Sequence, residues 1–109
     1  MGLLNNICKD ENIKLIEFTD EISEMLTNST NFKGAGRAVA QGDNKYIFFD
    51  STAPYWEKRF IVAHEIGHHL LGHLKNTDLS YGGMEMESNI FASVIIGLLL
   101  FKEYESRGI

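Results

Sequence analysis

A chain of 109 residues with 15 acidic and 10 basic side chains is the size of one small domain, and residues 1–109 are expected to form a single minimal unit. The net charge of -5 disfavours a partner held through phosphates, so no direct nucleic-acid contact is expected. The lone Cys8 excludes a disulfide scaffold, and a 44% hydrophobic content is too apolar for a disordered tail.

The opening Met1-Gly2-Leu3-Leu4-Asn5-Asn6 has no basic stretch, no long apolar core and no myristoylation Ser or Thr at position 6, so the expected compartment is the cytoplasm. Leu3, Leu4, Ile7 and Cys8 recur at helical spacing and predict a short helix closing near Asn12. Ile13–Phe18 alternates apolar and polar residues and reads as a strand. Thr19–Phe32 is ambiguous between a short capped helix and a turn-rich coil. Gly34-Ala35-Gly36 lacks the third glycine of a phosphate-binding loop and reads as backbone freedom at a strand edge. Arg37–Gln41 and Tyr46–Phe49 flank Gly42-Asp43-Asn44 and predict a hairpin.

Pro54 opens a helix that no residue forbids before His73. Lys75–Gly83 is loop-like, and a second helix is expected from Met84 or Glu85 to about Tyr104. Its apolar run, Ile90–Phe101, is shorter than the roughly 20 residues a bilayer needs, so no membrane span is expected. The order predicts an α+β class: a short N-terminal helix, a three-stranded mostly antiparallel sheet, then two helices.

Ala63-His64-Glu65-Ile66-Gly67-His68 is an HExxH motif. On a helix His64 and His68 project from one face a turn apart, as shared metal ligands must. Glu65 lies round the helix from them, placed to act as general base toward water. Phe60, Ala63, Ile66, Gly67, Leu70, Leu71 and Leu74 form one apolar stripe beside them. His69 and His73 point away from that face and read as solvated or packing side chains. The third ligand must come from elsewhere, since Leu71 and Leu74 stand where the metzincin pattern has Gly and His. Glu85 is favoured, sharing a face with Asn89, Ala92 and Ile96; Glu87 and Asp78 remain alternatives. Asn89 is expected to hydrogen-bond at the site, and Glu87 to support the first helical turn. Two imidazoles and one carboxylate are the donor set of a catalytic zinc, although other divalent ions suit the same ligands.

The segment from Arg59-Phe60 through Ala63-His64-Glu65-Ile66-Gly67-His68, with Glu85-Met86-Glu87-Ser88-Asn89-Ile90-Phe91-Ala92 after it, resembles the ImmA/IrrE family of zinc metallopeptidases. The resemblance implies a small gluzincin-like (zincin) domain in which the first acid of the second block, Glu85, completes the zinc site. It also implies cleavage of a partner repressor of the helix-turn-helix type, of the kind encoded by phages or mobile elements. Tyr81 and Tyr104 are candidate donors to the developing oxyanion. The Tyr46, Ile47 and Phe48 strand, read as an edge, is a candidate for pairing with substrate. The rival reading is a zinc-stabilised module that binds a repressor without cutting it: Ile90, Phe91, Val94, Ile95, Leu98, Leu99 and Phe101 leave few polar positions on the second helix, and a part of it left exposed would mark a partner or self-association surface.

Overall fold

A computed structural model describes residues 1–18, 36–75 and 77–107. Helix α1 (Gly2–Asp10) buries Leu4 and Cys8, one turn apart. Asn12, at φ 56, turns the chain into β1 (Ile13–Phe18), the strand that alternation predicts. The hairpin forms as expected from β2 (Gly36–Gln41) and β3 (Asn44–Asp50). Gly42 (φ 60) precedes Asp43, which is not among the positive-φ residues, the sign pattern of a type II′ turn. Thr19–Phe32 and Gly34-Ala35 lie outside the described residues.

The strand order is β1-β3-β2, with β1 parallel and β2 antiparallel to β3. The sheet is therefore mixed rather than mostly antiparallel. A two-residue turn dictates only the β2–β3 pairing, and β1 takes the other side of β3, in the parallel sense. Ile13, Ala38, Ile47 and Phe49 are all buried, the inward half of the period-2 alternation.

Helix α2 (Tyr55–Leu70) lies between this sheet and α3 (Tyr81–Ser106). Val62, Ala63 and Ile66 are wholly buried; burying a Val or Ile side chain contributes about 1.5–3 kcal/mol. The predicted stripe is only partly the buried face: Phe60, Leu70, Leu71 and Leu74 remain over a third exposed, because core contacts from two sides centre on Val62, Ala63 and Ile66. Helix α2 also stops three residues before His73. Gly72 adopts φ 75, with its N–H on the His69 carbonyl and the His73 N–H on the His68 carbonyl, at 3.3 and 3.0 Å. These two bonds make a Schellman stop.

Helix α3 starts earlier than predicted because Ser80 caps it, its Oγ accepting from the Gly83 N–H at 3.1 Å. At 26 residues it is long and apolar enough to cross a membrane by length and composition, which corrects the shorter span read from Ile90–Phe101. Its Ser88 and Ala92 nevertheless pack wholly buried within the protein. The two helices run antiparallel: Arg59 Nη2 lies 3.1 Å from Glu103 Oε1 at one end, and His64 lies 2.9 Å from Glu85 at the other. Arg59 also sits over the Tyr55 ring, whose hydroxyl accepts from the Met1 amino group at 2.7 Å.

Candidate active site

One helical turn places His64 and His68 together, their Nε2 atoms 3.1 Å apart. The first turns of α3 bring Glu85 to both: Oε2 is 2.9 Å from Nε2 of His64, and Oε1 is 3.1 Å from Nε2 of His68. A tetrahedral shell with bonds of about 2.0–2.1 Å sets its donors about 3.3 Å apart. The spacing of these three donors and their chemistry fit a zinc-sized cation. Glu65 also has a carboxylate oxygen within 4.8 Å of both histidines, but the Glu85 oxygens match ligand spacing and Glu65 has a different environment.

That environment is the interior. Glu65 is 7% exposed, and burial, with the Glu85 charge adding to it, pushes its carboxyl up to about 7. The Ala38 N–H of β2 and the nearby Arg37 pull the other way. Among the described residues β2 is an edge of the sheet, and a backbone donor of that edge turns into the site instead of across to β3. At Gly36 β2 passes close against α2: a Cβ there would run into Ile61 Cγ2 and lie 3.5 Å from Glu65 Cγ. Burial, the neighbouring His64 and His73 lower the affinity of His68 for a proton against the raising effect of Glu85.

Each imidazole is held from behind. Asn89 Oδ1 lies 2.8 Å from Nδ1 of His64, as the shared face with Glu85 predicts. Behind His68 stands His73, Nδ1 to Nδ1 at 2.9 Å, and His73 Nε2 in turn meets Glu87 Oε1 at 2.7 Å. His73 is therefore neither solvated nor opposite the site, as uninterrupted helix geometry suggests, because the chain reverses at Gly72. Glu87 pairs with His73 rather than merely supporting the helix start. The sequence signal for both was Gly72 itself, a left-handed stop just past a helix. His69 does pack: its Nε2–H donates to the Tyr46 carbonyl at 2.8 Å, and burial lowers its proton affinity.

The cleft has two lobes. Arg37, Ala38, His68, His73, Leu74 and Met84 line one, and Phe60, Ile61, His64 and Asn89 line the other. Gly36, Glu65, Tyr81 and Glu85 belong to both. Tyr104 lies about 28 Å further along α3 than Glu85, at 1.5 Å per residue, and does not line the cleft. Asp78 is exposed in the connection before α3 and does not line it either.

The strand reading of Tyr46, Ile47 and Phe48 needs correction. Strand β3 is central, paired on both sides, so no ladder position is left for a peptide. Ile47 is wholly buried, and the Tyr46 carbonyl is taken by His69. Among the described residues the edge strand beside the cleft is β2, whose Gly36, Arg37 and Ala38 line it.

The peptidase M78 family model, described as the IrrE N-terminal-like domain, matches residues 8–96. The chain belongs to this peptidase family. No curated protein and no solved structure matched it.

Proposed function

We propose that the protein is a zinc-dependent endopeptidase in which His64, His68 and Glu85 hold the metal and Glu65 is the general base. The observation that carries this reading is the convergence of two Nε2 atoms and both Glu85 oxygens within 2.9–3.1 Å, with a buried carboxylate beside them. Zinc bound there supplies Lewis-acid polarisation of a carbonyl and acidifies water. Glu65 takes a proton from the attacking water and returns it to the departing amine as the C–N bond breaks. Burial, the largest cause of its raised proton affinity, favours its taking up that proton. The Ala38 N–H fixes the carboxylate, and Tyr81, on the shared wall of both lobes, is the candidate oxyanion donor. The side of β2 that pairs with no other described strand is the surface on which an extended peptide would add.

The substrate we favour is a helix-turn-helix repressor met in the cytoplasm, the expectation carried by the family resemblance. The second reading, a zinc-stabilised module that binds a repressor without cleaving it, draws on one observation. Met86, Ile90, Val94 and Phe101 are all more than half exposed along one side of α3, a surface suited to a partner or a second copy.

Metal analysis of the purified chain, with Glu65→Gln and Glu85→Ala, tests these readings. The peptidase reading expects stoichiometric zinc in wild type and Glu65→Gln, cleavage of a bound repressor by wild type alone, and zinc loss in Glu85→Ala. Zinc unaffected by Glu85→Ala refutes the ligand set. A wild type that holds zinc and binds the repressor without cutting it establishes the module.

A further inference from the structure

The second ring nitrogen of His68, the one not facing Glu85, meets another imidazole. Nδ1 of His68 is 2.9 Å from Nδ1 of His73, and Nε2 of His73 is 2.7 Å from Oε1 of Glu87. The His73 side chain is 2% exposed and that of Glu87 47%, so the chain of contacts runs from the cleft through the interior to solvent. The Ser88 hydroxyl lies against His73 Nδ1 at 3.5 Å.

A neutral imidazole has one N–H and one lone pair. If Nε2 of His68 holds a cation, its proton must sit on Nδ1, so His68 donates and His73 accepts. The proton of His73 then sits on Nε2, where it donates to Glu87. Only this assignment satisfies all three groups, and it ends on a carboxylate. His64 ends instead on the neutral amide oxygen of Asn89. The two imidazoles are thus supported unequally, and the anion-backed one is the stronger donor.

We propose that His73 and Glu87 are positioning residues that fix the tautomer and ring plane of His68 and strengthen it as a ligand. This inference rests on His64, His68 and Glu85 being the metal site. The competing role for His73 is that of a buried side chain filling the space below the Schellman turn.

The test measures zinc affinity of the full chain by competition with a chromogenic chelator. Leucine at position 73 removes both hydrogen bonds, so His73→Leu is expected to bind zinc ten- to a hundredfold more weakly. His73→Asn restores an acceptor near the former Nδ1 and is expected to recover part of that loss. Glu87→Gln keeps an acceptor without the charge and is expected to weaken binding a few-fold. Long-range 1H–15N spectra of zinc-loaded wild type should show the proton on Nδ1 of His68 and on Nε2 of His73. A packing role predicts no such order among variants, with His73→Asn no better than His73→Leu. If His73→Leu fails to fold, the other two variants still decide, since Glu87 is half exposed. Wild-type affinity in both His73→Asn and Glu87→Gln, or a proton on Nδ1 of His73, overturns the proposal while leaving the metal site intact. A wild type that binds no zinc, or binds it independently of Glu85, overturns the metal site and this proposal together.

Discussion

Replacing Gly67 with alanine tests how closely the fold must hold its two long helices. A Cβ at position 67 would lie 3.1 Å from Phe91 Cδ1, 3.2 Å from Ser88 Oγ and 3.3 Å from Ser88 Cα. Carbon atoms rest comfortably at about 3.5–4.0 Å, so α3 must retreat by roughly 0.3–0.5 Å. Glu85 belongs to the same rigid helix and retreats with it, away from His64 and His68. Overpacking of this kind costs about 1–3 kcal/mol, while alanine in place of glycine within a helix returns up to about 1 kcal/mol. The expected net loss of stability is about 0–3 kcal/mol. The larger effect is on zinc, whose affinity should fall at least about tenfold, or about 1.4 kcal/mol. Gly97 is the control, because a Cβ there meets nothing within 4 Å; Gly97→Ala should stabilise by up to about 1 kcal/mol and leave zinc affinity unchanged. Thermal melts of the metal-free chain and chelator competition read the two quantities. Gly67→Ala behaving like Gly97→Ala in both assays would refute the close packing described here.

The buried Glu65 gives a pH signature in the metal-free protein. Its carboxyl is raised from 4.5 to about 7 in the fold, so between those values the folded state keeps a proton that the unfolded chain has released. Stability from this group therefore falls as pH rises, by at most about 1.4 kcal/mol per pH unit. Glu65→Gln should remove that slope in denaturant melts and make the metal-free protein more stable than wild type above neutrality; parallel pH profiles would count against it. Tyr81→Phe should retain zinc while cleavage slows by about a hundredfold, and equal rates would remove Tyr81 from the mechanism. At the far end of α2, Arg59 is almost wholly buried against Glu103. Arg59→Ala should cost about 1–3 kcal/mol, less than a fully buried pair, because the Glu103 carboxylate left behind is partly exposed; an unchanged melting temperature would show that the pair is idle.

The side chains that converge at the candidate site were largely legible because they obey local periodicity. His64 and His68 share a face by spacing alone, and Glu85 and Asn89 share one for the same reason, so their convergence needed only that two helices pack. The central position of β3 was not legible, because alternation states which face of a strand is buried and says nothing about which strand lies beside it. That gap placed the substrate edge on Tyr46–Phe48 rather than on β2. His73 was hidden for a different reason. Helical phase continued through Leu71 sets His73 away from the His64/His68 face, whereas a single left-handed residue at Gly72 swings its imidazole beneath His68. The early start of α3 was hidden by Gly82 and Gly83, whose poor helix propensity the Ser80 cap overrides.

The attachment of α2 to α3 at opposite ends, through Arg59 with Glu103 and through His64 and His68 with Glu85, works as a two-toothed key. Sliding one rod past the other by a single coil, about 5.4 Å, would part Arg59 from Glu103 and leave Glu85 beside at most one of the two imidazoles. Misaligned pairings of these apolar rods are thereby penalised at both extremities, although greasy side chains alone would tolerate several.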